Sequence, residues 1–174
     1  LLLDDSMIGE DYDTNYKVNP PLRTKADVAA LRAGLADGTV DAIVTDHAPH
    51  ATYEKDREFE LAPFGMTGIE TSLGLMLTHM VGEGVIGWDR LIELMAVNPR
   101  AILCDERVAI EPGCVADLTV INPDAAWTVS KEDFCSKAQN TPFIGWNLRG
   151  RATDVYVGGY ATMEDGQVIS TVKH

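Results

Sequence analysis

The sequence predicts an α/β fold that gives way to a largely β tail. A strand, a helix and a second strand follow one another between residues 16 and 45, which is the pattern of a βαβ unit. Longer helical stretches fill the chain to about residue 105, and beyond it short strands alternate with Gly-Gly and Asp-Gly turns. This change of texture divides the 174 residues into 1–105 and 106–174.

Taken in order, YKVNP (16–20) reads as a short strand ended by Pro20-Pro21. Thr24 with Asp27 three residues on has the form of a capping box, with Asp in place of Glu. Val28, Leu31 and Leu35 recur at helical spacing, so 25–36 is an amphipathic helix, and Asp37-Gly38 stops it. Val40–Thr45 is short and mostly apolar, as a strand buried on both faces of a parallel sheet must be. Residues 51–68 are first charged and aperiodic, then rich in Pro and Gly. They read as a long loop, with 54–60 the expected mobile stretch. Ile69, Leu73, Met76, Leu77 and Met80 mark a helix over 69–81, and Trp88, Leu91, Ile92 and Met95 mark another. Asn98-Pro99 has the form of an N-cap and N1 residue opening a third. A strand is expected at 117–121, followed by three strands within 147–169.

Hydrophobic residues make up 45% of the chain, enough for a core. The net charge of −13 argues against nucleic acid and anionic membrane as partners, because phosphate recognition needs a basic surface. It leaves room for a small anionic substrate held by a local positive group or a metal. No apolar run approaches the roughly 20 residues of a membrane helix. Cys104, Cys114 and Cys135 show no metal-binding spacing and read as reduced thiols of a cytoplasmic protein. The opening LLLDDS is too short and too soon acidic for a signal peptide, and reads as the interior of a longer chain.

The chemistry concentrates in TDHAPH (45–50). Ligands of parallel α/β folds bind at the carboxyl ends of strands, and Asp46 stands at that end of 40–45. A carboxylate there suits a metal ligand or a general base, and the bland alternative is a capped turn. His47 and His50 add imidazoles able to recognise metals or carboxylates. Asn19 ends the preceding strand and reaches the same rim, although alone it reads as a turn residue, and Arg23 as a surface cation. Phe64-Gly65 closes the long loop, where Gly lets the backbone approach a ligand. Glu70 either complements a helix start or braces the site from behind. His79 and His174 read as structural or inert.

YKVNPPLR, GTVDAIVTDHAPH, the EK pair, APFGMTGIET and NTPFIGWNLRG together resemble dihydroorotase of the amidohydrolase superfamily, over residues 1 to about 170. The resemblance implies the C-terminal part of a (β/α)8 barrel over 1–105, with YKVNP and VDAIVT as its last two strands. A β-rich composite-domain segment follows over 106–174. It implies a zinc-dependent, reversible hydrolysis of dihydroorotate to N-carbamoyl-aspartate in pyrimidine biosynthesis. Asp46 would be a zinc ligand and the catalytic acid/base, passing a proton from the attacking hydroxide to the leaving amide nitrogen. His50 would bind the substrate carboxylate, Asn19 would help fix the ring, and the backbone of Phe64 and Gly65 would meet the pyrimidine edge. His47 would have a supporting role.

The family's other metal ligands lie upstream of this stretch, so the segment alone is expected to be inactive. A homo-oligomer, possible association with aspartate transcarbamoylase and a cytoplasmic location are also implied. Related readings are another cyclic amidohydrolase (allantoinase or hydantoinase) or an inactive structural partner of aspartate transcarbamoylase.

Overall fold

A computed structural model describes residues 1–105 and 109–169. His174 lies outside the described residues. Helix α1 (Lys25–Asp37) starts on the expected capping box. Thr24 Oγ1 accepts from the Asp27 N–H at 3.3 Å, and the Asp27 carboxylate accepts from the Thr24 N–H at 3.0 Å. Gly38 adopts a left-handed conformation at its end. A short helix α2 (Thr52–Lys55) lies inside the long loop, where the Glu54 carboxylate accepts from the Ala51 N–H at 2.8 Å. Its last residue, Lys55, is only 5% exposed, so the stretch expected to be mobile is pinned at that point.

Helix α3 (Ile69–Met76) continues as a wider π turn through Leu77–Val81, spanning the expected helix. Helix α4 (Trp88–Ile92) passes through a second π stretch, Glu93–Val97, into α5 (Asn98–Ile102). Here the structure departs from the sequence reading. Asn98 is not an N-cap, because its backbone is helical and its N–H already bonds to Glu93 O. Pro99 has no N–H to give, and the wider turn before it lets the run continue without that bond. The Asn98 side chain instead donates to Asp41 O at 2.8 Å, tying the helical run to the extended segment 40–46.

The tail forms one antiparallel sheet in the order β1 (Leu118–Thr128), β2 (Asn147–Val157), β3 (Tyr160–Glu164) and β4 (Gln167–Val168). The Gly158-Gly159 and Asp165-Gly166 pairs have positive φ at both positions, the geometry that joins antiparallel strands through two residues. Strand β1 is longer than the expected 117–121. It runs past Pro123 because the register shifts between Asn122 and Ala126, so the proline owes no hydrogen bond to the ladder.

The two strands expected at 16–20 and 40–45 do not appear as laddered strands. Thr14–Tyr16 is a 3₁₀ turn and the chain then runs extended from Lys17. In 40–46 only scattered backbone bonds form, such as Ile43 N–H to Leu94 O at 2.9 Å. A parallel strand takes its ladder from neighbours distant in sequence, and among the described residues neither segment finds them.

One apolar cluster joins the two textures. Leu35 of α1, Leu75 and Met76 of α3, Met80, Leu91 and Leu94 meet Val129, Phe143 and Leu148 of the tail. Helix α3 lies directly on the sheet: a Cβ at Gly74 would stand 2.9 Å from the Trp127 ring. That contact fixes the helix whose first turn carries Glu70.

Candidate functional site

Asp46 ends the extended segment 40–46 with φ +46, a left-handed conformation that Asp tolerates better than most residues. Its side chain is exposed and accepts no hydrogen bond among the described residues. Together with Asn19 it lines an apolar cavity of about 350 Å³ between the N-terminal leucines, Ile43 and α3. Asn19 is also exposed and unpaired within the described residues, whereas Arg23 pairs loosely with Asp27 at 3.8 Å as a surface cation does.

One residue on, the ring of His47 is fully used. Its Nδ1 accepts from the N–H groups of Gly68 (3.1 Å) and Ile69 (3.3 Å), which open helix α3. A nitrogen facing two donors is unprotonated, so the neutral ring carries its hydrogen on Nε2. That hydrogen points to Ser136 Oγ at 3.3 Å, and Ser136 in turn donates its hydroxyl (2.6 Å) and its N–H (2.9 Å) to Glu70 Oε1. Burial raises the Glu70 pKa. The two Ser136 bonds and its own backbone N–H more than offset this and hold it below the ordinary carboxylate range. The other oxygen, Oε2, is buried with no partner among the described residues. Glu70 thus both opens helix α3 and braces His47 through a serine.

His50, Phe64 and Gly65 form a second group. His50 Nε2 lies 3.0 Å from Phe64 O. A carbonyl can only accept, so this nitrogen carries a hydrogen. Gly65 has φ +127 and a Cβ there would stand 2.5 Å from the Ala48 side chain, so the turns 46–50 and 63–67 touch only because residue 65 is glycine. Ala48 N–H also bonds to Met66 O at 2.9 Å. Both backbone groups of Gly65 are spoken for. Its N–H donates to Lys17 O (2.9 Å), and its C=O accepts from Lys55 Nζ (3.0 Å) and Asn140 Nδ2 (3.2 Å). The open backbone donor of the pair is the Phe64 N–H, which has no acceptor among the described residues.

Two buried lysines hold this loop. Lys55 Nζ also donates to Pro63 O at 3.0 Å, and desolvation, followed by repulsion from Lys17, lowers its pKa against an opposing pull from Asp13. Lys17 Nζ donates to Glu60 O at 2.8 Å and stands 4.6 Å from the centre of the Phe64 ring.

The structure therefore gathers the expected site residues in two clusters, joined by the turn 46–50 itself. Asn19 and Asp46 share the apolar cavity. His50 instead lines a polar cavity of about 540 Å³ with Lys55 and Asn140, and Phe64 and Gly65 bridge toward it from the facing loop. Ser136, Asn140, Lys17 and Lys55 carry no local signal as site residues, since their partners lie 8 to 92 residues away. Among the described residues no group of three or more His, Cys, Asp or Glu side chains could hold a metal ion. Of the expected site residues, Asp46 offers one hard oxygen ligand with no competing hydrogen bond among the described residues.

No family model matches the chain. It is 49% identical over 164 residues to the dihydroorotase of Pelotomaculum thermopropionicum, a match covering 94% of this chain and 38% of that protein. It is 52% identical over 158 residues to the dihydroorotase of Geobacter metallireducens, covering 91% and 37%. Among solved structures, a D-hydantoinase (dihydropyrimidinase) from Thermus sp. superposes with a TM-score of 0.87 at 28% identity, over 98% of this chain and 39% of that one. An L-hydantoinase from Arthrobacter aurescens gives 0.83 at 30% identity, over 90% and 36%. The fold and these likenesses define the class: part of the barrel of the cyclic amidohydrolases, with a β-rich sheet beside it. Within that class the chain matches the C-terminal portion of dihydroorotases. It spans 37–38% of the length of the two curated relatives. No described helix is long and apolar enough to cross a membrane.

Proposed function

We propose that this segment, within a complete enzyme, supplies the proton-transfer carboxylate and the substrate-anion contact of a zinc-dependent dihydroorotase in pyrimidine biosynthesis. In this reading 1–105 belongs to the barrel and 106–174 to the composite domain, the enzyme is a cytoplasmic homo-oligomer, and the substrates are dihydroorotate and N-carbamoyl-aspartate. The observation that carries it is Asp46: an exposed carboxylate with no partner among the described residues, on left-handed backbone, lining a cavity beside Asn19.

Asp46 would hold zinc through one carboxylate oxygen, and the metal's Lewis acidity would make water nucleophilic near neutral pH. The chain's own residues do the rest. Water adds to the ring carbonyl carbon and the carbon–nitrogen bond breaks. Asp46 takes one proton from the water and delivers it to the leaving amide nitrogen, and the water's second proton is released as the new carboxyl group ionises. His50, donating from Nε2, exchanges the Phe64 carbonyl for the substrate carboxylate. Asn19 offers its amide to the ring from the other side of the cavity, and the open Phe64 N–H offers a donor to its edge.

In the full-length zinc-loaded enzyme, Asp46→Asn should lower kcat for dihydroorotate by about 10²–10⁴-fold, the usual contribution of a positioned acid/base. An undiminished rate would remove Asp46 from the chemistry. The solved likenesses to hydantoinases favour a second reading, a hydantoin-cleaving enzyme, at 28–30% identity against 49–52% for the dihydroorotases. His50→Ala separates the two: it should raise KM for dihydroorotate, whereas a hydantoinase would be indifferent to it.

A further inference from the structure

The NTPFIGW motif (140–146) has no part in the chemistry above, yet its first residue touches both turns of the site. Asn140 is 6% exposed. Its Oδ1 accepts from the His50 N–H at 2.9 Å, and its Nδ2 donates to Ala48 O at 3.1 Å and to Gly65 O at 3.2 Å. Its own carbonyl accepts from the Thr67 N–H at 2.9 Å. One planar amide thus holds three backbone groups on two segments that are 90 and 75 residues away in sequence.

We propose that Asn140 is a positioning residue for substrate recognition, fixing His50 against the Phe64–Gly65 turn so that the imidazole and the open Phe64 N–H present one register to the substrate. This rests on the reading of His50 as the carboxylate contact. The side chain has the one composition that meets all three partners. Aspartate keeps the acceptor for His50 but has no hydrogens for the two carbonyls, and glutamine sets the amide one methylene too far. Asn140 lies outside the cavity of Asp46, so it acts on binding rather than on proton transfer.

The test uses the full-length zinc-loaded enzyme carrying this segment, unmutated and as Asn140→Ala and Asn140→Asp. KM for dihydroorotate should rise about tenfold or more in Asn140→Ala, in line with the 10–100-fold effects of outer supporting groups. Zinc content should be unchanged, kcat should fall less than KM rises, and Asn140→Asp should lie between. A purely structural role would lower thermal stability and leave the KM-to-kcat split untouched, and a folded variant with unchanged KM overturns the proposal. Should the variants fail to fold, hydrogen exchange in the unmutated protein decides. The side-chain amide hydrogens of Asn140 should exchange far more slowly than those of an exposed asparagine, and free exchange overturns the clamp. An unmutated enzyme that leaves dihydroorotate untouched would instead defeat the functional reading, with the exchange measurement still judging the clamp.

Discussion

The extended segment 40–46 and strand β2 both expect a strand's neighbours from their sequence and meet opposite fates. Strand β2 is laddered to β1 on one side and β3 on the other, and its Leu148 is 2% exposed. Segment 40–46 makes a few isolated bonds, and its Val44 is 78% exposed. An antiparallel pair closes on its own chain through turns, while a strand of a parallel barrel is stable only through neighbours brought from elsewhere. The functional turn sits at the end of the unladdered segment. It is held from the front instead, by side chains of the loop between β1 and β2, and this loop is anchored in the well-laddered sheet.

That contrast can be broken by mutation. The largest effect should come from Leu148→Ala, which opens a cavity where α3 meets the sheet and should cost about 2–5 kcal/mol in urea unfolding. Val44→Ala should stay within about 0.5 kcal/mol. Comparable losses at the two positions would show that 40–46 is as firmly packed as the sheet. Next, Gly65→Ala forces a side chain into a backbone conformation that only glycine adopts readily and into contact with Ala48, and should cost about 1–3 kcal/mol by thermal unfolding. A neutral result would mean that the two turns separate freely.

A smaller effect than that of Leu148→Ala or Gly65→Ala should come from Ser136→Ala, about 1 kcal/mol at neutral pH. Its sign with pH is fixed by Glu70. A carboxyl whose folded pKa is lowered stabilises the fold fully above its unfolded value and loses that contribution as pH falls through the folded one. The gap between wild type and Ser136→Ala should therefore close on acidification below the ordinary carboxylate range. A pH-independent gap would mean that the serine does not act through Glu70.

The features legible in the sequence are local ones. Thr24 and Asp27 sit three residues apart and cap α1, and Gly158-Gly159 and Asp165-Gly166 dictate their own turns. The turns that carry Asp46, His50, Phe64 and Gly65 could be singled out from their motifs, although the split of these residues over two cavities and the pairing of His50 with the Phe64 carbonyl could not. Three kinds of feature escaped. Ladder formation in 16–20 and 40–45 depends on partners absent from the local sequence. The π turns that fuse α4 to α5 leave no mark in apolar periodicity. Asn140, Ser136, Lys17 and Lys55 are polar residues that read as surface, because burial of a polar group is decided by distant backbone carbonyls and not by its neighbours.

Connecting loops ordinarily tolerate gained or lost residues. The one between β1 and β2 is an exception, because Ser136 and Asn140 work as two marks on a ruler. Ser136 meets the His47 end of the rim and Asn140 meets the His50 end, so the interval of four residues between them spans the interval of three between the two histidines. Adding or removing one residue inside 136–140 would leave every residue of the rim in place and still detach one of its ends. Length, as much as composition, is therefore constrained in this stretch.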